Sequence, residues 1–341
     1  MESRAVWRRF RANKRAYVSA WIFGILVALS LLAPFIANQK PLFIYHEGRA
    51  YFPVFVDYPE TTFGGDFESF TDYLDPYVRE VLLRDSFVLR TLVPYSDDSI
   101  LFDLHAPSPT PPDSKHWLGT DDKGRDVLAR MLYGLRTSIA FGFLLSVCVL
   151  LIGVSVGAGQ GYYGGGIDLL GQRLIEIWNS IPVLFVIIIV ANTIMPSFWW
   201  ILAVVLAFSW IGLASVVRAE VLKVRNLEFV RAAKAMGFGD WHIITRHILP
   251  NAMVATITYV PFIMASGIIT LGSLDFLGFG TQDASLGELL AQGKNNLTSP
   301  HLGISSFVII SVLLSVLVFI GEGLRDALDP KAHSAEKAHF L

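Results

Sequence analysis

Residues 227–251 read LEFVRAAKAMGFGDWHIITRHILPN, a charged helix–turn–helix set between long apolar runs. Leu227 to Met236 is long enough for about 15 Å of helix. Glu228 and Arg231 are three apart and can pair on one face. Ala232 and Ala233 are small, so another backbone or side chain can come close. Gly237 stands where a helix C-cap glycine belongs, because only glycine takes a positive φ without cost. Asp240 is placed to N-cap a second helix. That helix would line Trp241, Ile244 and Ile248 along one face, with His242 and Arg246 elsewhere. Pro250 then breaks the pattern and restarts the chain as a membrane helix. An ordinary positively charged loop reads the same way, and so does a DNA-binding helix–turn–helix, which the flanking apolar runs disfavour.

Composition sets the class. Hydrophobic residues make up 53% of the chain and charged residues 16%, where a soluble domain carries roughly 25% charged residues. The formal net charge of −2 gives no basic field for nucleic acid. The single cysteine, Cys148, lies in an apolar run and has no internal disulfide partner. The histidines are scattered, without metal-site spacing. His333 and His339 sit in a polar tail and read as solvated.

Six apolar segments approach the roughly 20 residues that cross a bilayer. They are Val18–Ala37, Thr137–Gly157, Ile177–Ile194, Trp199–Val217, Ala252–Leu274 and Gly303–Gly321. Met195 to Phe198 is a tight turn between the third and fourth. Arg4, Arg8, Arg9, Arg11, Lys14 and Arg15 precede the first, which places the N-terminus in the cytoplasm. Counting crossings puts the 216–251 loop on the same side, in agreement with its Arg218, Lys223, Arg225, Arg231, Lys234 and Arg246. The C-terminal tail, with Arg325, Lys331 and Lys337, returns there too. The first apolar run exceeds the 7–15 residues of a signal-peptide core, so it reads as an uncleaved anchor. The fold expected is an all-α membrane protein of six transmembrane helices with both termini cytoplasmic. Its divisions are a basic N-terminus and first helix (1–37), an extracytoplasmic insertion and outer-mouth segment (38–136), a helical core (137–323) holding the 220–250 loop, and a tail (324–341).

The insertion is aromatic and acidic. Phe43–Tyr45 and Ala50–Phe52 flank His46 to Arg49 and suggest a hairpin. Pro76-Tyr77 to Leu89 reads as a short helix. Pro107, Pro109, Pro111 and Pro112 make a stiff connector. The insertion could dock a binding protein, or simply cap the helix bundle.

The interiors of the six segments hold no Asp, Glu, Lys or Arg, which argues against a proton-coupled carrier or pump. No GxxxxGK[ST] loop is present, and Gly161 to Gly166 lacks the lysine that would reach a phosphate. That glycine-rich stretch reads as a loop leaving the second span. His46-Glu47-Gly48-Arg49-Ala50 is not HExxH, and there is no GxSxG. Movement through this chain would have to be driven from outside it.

Several stretches carry a family resemblance. Arg231-Ala232-Ala233, Gly237 and Ile248-Leu249-Pro250 reproduce the "EAA" loop of ABC importer permeases. His116 to Asp121, with Gly124-Arg125-Asp126-Val127 and Tyr133-Gly134, resembles the GTDxxGRDVxxRxxYG segment of the dipeptide, oligopeptide and nickel permeases. Gly161 to Gly165 is similar to their GYYGG, and Leu274 to Gly280 with Ser285-Leu286-Gly287 to their SFLGLG…SWG. Leu324 to Pro330 matches their GLRDALDP. Together these run in order through residues 116–330. Arg231 stands where the motif name has Glu, and Leu286 where the family often has Trp. LFIYHEGRAYFPVF, FGGDF and KNNL (294–297) narrow the resemblance to Yej-type peptide permeases, whose cargo class includes peptide-nucleotide antibiotics of the microcin C type.

The resemblance implies the type I importer permease fold and a larger machine. A second homologous permease would complete the path. Two ATP-binding subunits, or one fused tandem ATPase, would use ATP and Mg, while this chain would bind no cofactor and carry no catalytic residue. An extracytoplasmic peptide-binding protein would deliver the peptide; nucleic acid has no part. Glu228, Arg231, Ala232, Ala233, Gly237, Trp241, His247 and Pro250 would form the ATPase-coupling loop. Thr120, Asp121, Gly124, Arg125 and Asp126 would lie at the outer mouth, although Asp126 also reads simply as the cap of a helix starting at Val127. Asn192, Ser209 and Ser266 are candidates for the substrate path, or serve helix packing. The competing readings are a stand-alone channel or facilitator and, disfavoured, a membrane enzyme.

Overall fold

The structure, a computed structural model, describes residues 2–84, 86–101, 106–281 and 283–328. Lys331, His333, Lys337, His339 and the end of the 324–330 motif lie outside the described residues. In chain order the helices are α1 (Glu2–Ala12), α2 (Lys14–Leu31), α3 (Ala33–Ile36), α4 (Val127–Tyr163), α5 (Gly165–Asn179), α6 (Val183–Thr193), α7 (Phe198–Val224), α8 (Glu228–Ala235), α9 (Asp240–Ile243), α10 (Leu249–Phe276), α11 (Leu286–Asn295) and α12 (Pro300–Leu328). The chain divides into two compact units. One comprises Met1–Gly24, Ile139–Gln282 and Ser311–Leu341; the other comprises Ile25–Ser138 and Asp283–Ile310.

Among the described residues, five helices are long and apolar enough to cross a membrane: α2, α4, α7, the run Asp240–Phe276, and α12. The sixth crossing is the pair α5 and α6, bent by 59° at a short break. Pro182 sits at this break and starts α6, because it can neither donate to nor pack within a preceding helical turn. The third segment expected at Ile177–Ile194 is therefore two helices.

One other boundary differs from expectation. The second span runs on through Tyr163, and only Gly164, at φ 64°, separates it from α5. The glycine-rich stretch is thus helix with a one-residue corner, and a methyl group at Gly164 would overlap Arg225. Pro250 restarts the chain as a membrane helix, as expected: it lies in the first turn of α10. A π turn, Ile244–Ile248, joins that helix to α9.

In the first unit the core is built from α4, α7 and α10, with Phe141, Leu145, Val205, Leu213, Val217 and Leu271 buried. Gly153, Gly157 and Gly161 recur every four residues on α4. A Cβ at Gly157 would stand 2.4 Å from the Ala214 carbonyl, and one at Gly161 2.9 Å from that of Arg218. The glycines let the two helices meet backbone to backbone.

In the second unit the insertion has its own small core. Strands β1 (Phe43–His46), β2 (Arg49–Tyr51) and β3 (Phe87–Leu89) form an antiparallel sheet in the order β2-β1-β3. The expected hairpin is present, with Ile44 opposite Tyr51 and a tight turn through Glu47 (φ 48°) and Gly48 (φ 80°). The helix expected from Pro76 to Leu89 is shorter than that. A π turn covers Val78–Leu82 and the chain then enters β3, pairing Val88 with Ile44. Phe63 anchors this core, edge-on to Tyr51, Tyr58 and Tyr73.

Candidate coupling surface and outer segment

The cytoplasmic loop presents one face and buries the other. In α8, Val230 and Ala233 are buried while Glu228, Arg231 and Ala232 are exposed. No ion pair joins Glu228 to Arg231 among the described residues. Gly237 ends the helix at φ 82°. Its N–H donates to Lys234 O at 3.1 Å, and Phe238 N to Ala233 O at 3.2 Å, which ties off the last carbonyls. Gly239, rather than Asp240, occupies the N-cap of α9, with no side-chain cap. Asp240 instead accepts a hydrogen bond from Tyr162 Oη at 2.5 Å.

Trp241 also differs from expectation. Ile243, Ile244 and Ile248 form the buried face, and Trp241 stands 78% exposed. It lies off the inward stripe because the run from α9 into the π turn buries consecutive isoleucines. Leu227, Phe229, Met236 and Phe238 are exposed as well. His242 stacks on Phe238 with centroids 4.9 Å apart, and His247 lies 5.8 Å from His242. Pro250 is exposed. A loop with this much uncovered apolar and aromatic surface has the character of a binding face. Phe229, Met236 and Phe238 escaped the sequence reading because apolar residues in a short helix are ordinarily core.

Behind that loop, Arg218 forms a bidentate pair with Asp168 at 2.5 and 2.6 Å. Arg225 Nη1 donates to the carbonyls of Gly161 and Tyr162. The charges at the span ends thus hold α5 and the end of α4 to α7.

The outer segment is a closed ion-pair cluster. Asp121 is fully buried. It accepts from the backbone N–H groups of Lys123 and Arg125 at 2.9 Å each and from Arg125 Nε at 2.8 Å. Gly124, at φ 77°, closes that turn. Arg130 is only 2% exposed; it lies 3.4 Å from Asp121 and donates to Glu288 and to Asp97 O. Glu288 also takes Arg125 and Lys123. Burial pushes the Glu288 carboxyl up, but Arg130, Arg125 and Lys123 outweigh it and hold it below the usual carboxylate range. Asp126 caps α4 through Ala129 N at 2.9 Å and takes His116 Nδ1 at 2.9 Å. Thr120 bonds Thr110 side chain to side chain, and its carbonyl meets His301 Nε2 at 3.2 Å.

Arg130 was present in the quoted motif, but Glu288 was not. The two are 158 residues apart, and nothing in local spacing joins them.

The three path candidates share no hydrogen bond. Asn192 and Ser209 each donate to the carbonyl four residues back, Ile188 and Val205. Ser266 is exposed on α10, and its carbonyl accepts from Thr270.

The family model of the binding-protein-dependent transport system inner membrane component matches residues 133–334. The chain belongs to this permease family. A second model, the N-terminal transmembrane domain of oligopeptide transport permease C, matches residues 3–53 of the permease. It is 52% identical to the inner membrane ABC transporter permease protein YejE of Escherichia coli, over 96% of this permease and 97% of that one. It is 46% identical to the peptidoglycan transport system permease protein YejE of Agrobacterium fabrum, over 95% and 92% of the two chains. The dipeptide transport system permease protein DppC of Bacillus subtilis is 35% identical over 72% of this permease and 78% of its own length. The permease is a multi-pass protein of the inner membrane.

Proposed function

We propose that this permease forms, with a second homologous permease, the transmembrane path of an ABC importer for peptides. The observation that carries the reading is the exposed face around Gly237, with Phe229, Met236, Phe238 and Trp241 uncovered on a loop that is otherwise charged. Two ATP-binding subunits, or a fused tandem ATPase, dock there and use ATP and Mg. The permease itself binds no cofactor and catalyses no reaction. Closure of the ATPase pair reaches the spans through α8, α9 and the π turn into α10, and through the Tyr162–Asp240 bond to α4. Thr120, Asp121, Gly124, Arg125 and Asp126 hold the outer mouth in shape, and an extracytoplasmic binding protein delivers cargo there. Asn192, Ser209 and Ser266 remain the residues proposed for the path.

The cargo proposed is oligopeptides, including peptide-nucleotide antibiotics of the microcin C type. The name of the Agrobacterium relative, a peptidoglycan transport system permease, favours a second cargo, peptidoglycan material.

The test is co-purification in mild detergent of the tagged permease, co-expressed with its neighbouring subunits, as wild type and as Gly237→Asp. No neighbouring atom would touch a Cβ at Gly237. The substitution therefore acts through the positive φ and the added charge, at a local cost of about 1 kcal/mol. The expected result is an ATPase that accompanies wild type and is lost or uncoupled in the variant. If no ATPase accompanies wild type, the importer reading fails and a stand-alone channel takes its place.

A further inference from the structure

The N-terminal helix carries an uncovered basic stripe that continues, in phase, into hydrocarbon. Arg4, Arg8, Arg11 and Arg15 are all exposed and recur at helical spacing. Only Asn13 separates α1 from α2, and the helical bonding crosses it: Asn13 N donates to Arg9 O at 3.2 Å and Tyr17 N to Asn13 O at 3.0 Å. The next residues on the stripe, Val18 and Ile22, are exposed and apolar. Guanidinium thus gives way to aliphatic surface within one turn. Trp7 and Trp21 flank the change, 56% and 63% exposed.

The opposite face is fixed to the permease. Phe10 is buried with Ala16 and Ala327. Asn13 Nδ2 donates to Asp326 at 3.4 Å and Arg9 Nη1 to Ala327 O at 3.5 Å. Glu322 and Asp326 line a hollow with Lys14 and Arg15. Even so, among the described residues no carboxylate pairs with Arg4, Arg8, Arg11, Lys14 or Arg15.

We propose that this stripe is a seat for anionic phospholipid of the cytoplasmic leaflet. The arginines take headgroup phosphates, Trp7 lies at the headgroup level, and Val18 and Ile22 take the acyl chains. A soluble acidic partner would satisfy the arginines but leave the apolar continuation of the same stripe unmatched. A phospholipid supplies both halves in that order. The inference goes beyond the transport reading and does not depend on the cargo.

The test is native mass spectrometry of the full-length permease, purified with its co-expressed subunits, stripped of lipid and titrated with phosphatidylglycerol or phosphatidylcholine. Wild type is expected to retain phosphatidylglycerol about tenfold better than phosphatidylcholine. That preference should fall as salt rises from about 50 to about 500 mM. The fourfold variant Arg4→Gln, Arg8→Gln, Arg11→Gln, Arg15→Gln should lose about tenfold in phosphatidylglycerol retention. Removing these charges can disturb insertion of α2, so Trp7→Ala is compared as well; it leaves the charges in place and should weaken retention several-fold. Equal, salt-independent retention of both lipids by wild type overturns the proposal. An assembled fourfold variant that holds phosphatidylglycerol like wild type overturns it too. Displacement by inorganic phosphate alone would mean an ion site, and loss of a subunit with lipid retained would mean a protein interface.

Discussion

The outer segment and the cytoplasmic loop carry similar densities of charge and use it in opposite ways. Around Asp121, the charges of Arg125, Arg130, Lys123 and Glu288 are paired, and Asp121 and Arg130 are almost sealed from water. Around Gly237, Glu228, Arg231 and Lys234 are exposed and form no ion pair among the described residues, and aromatic rings stand open beside them. A closed set of charges holds a shape. An open set, with apolar surface among it, awaits something outside the chain. Sequence motifs alone mark both stretches as important; burial tells them apart.

The largest expected effect breaks the closed side of this contrast. Asp121→Ala would leave Arg125 and Arg130 short of their buried counter-charge, at a cost of about 3–5 kcal/mol. Thermal unfolding of the purified protein in detergent measures it. A midpoint within a degree of wild type would mean the cluster is decoration.

Glu288→Gln should cost less, about 1–2 kcal/mol, because that carboxylate is 27% exposed and partly screened. Its pH dependence sharpens the point. A carboxyl held below its ordinary value adds stability above the unfolded value of about 4.3 and loses it as pH falls through the folded one. Wild type should therefore lose stability more steeply than Glu288→Gln on acidification below about pH 4.5. Parallel melting curves for the two proteins would count against the pairing.

The smallest effect on stability belongs to the open side. Trp241→Ala should change the unfolding free energy by no more than about 0.5 kcal/mol. Association with the ATPase, followed by pull-down, should nonetheless weaken. A destabilised variant would place the ring in the fold instead.

The spans, the C-cap at Gly237 and the hairpin at His46–Arg49 were legible because each rests on local chemistry: hydropathy, a positive φ, strand alternation. What was not legible depends on distance or on geometry without a residue signature. Glu288 finds Arg130 only through folding. β3 joins its sheet from the middle of the insertion, well beyond the hairpin. The bend before α6 had a marker in Pro182, yet hydropathy runs through it unchanged. Exposed aromatics such as Phe238 cannot be told from core residues until their neighbours are placed.

The glycine seam between α4 and α7 has a mechanical meaning. Where Gly157 and Gly161 let backbones touch and Gly153 seats Leu213, sliding one helix past the other means climbing over Leu213, Val217 or Val221. The two helices therefore behave as a single beam. Rocking of that pair would have to be taken up elsewhere, and the 59° bend before α6 is a break in the helical run that could take it.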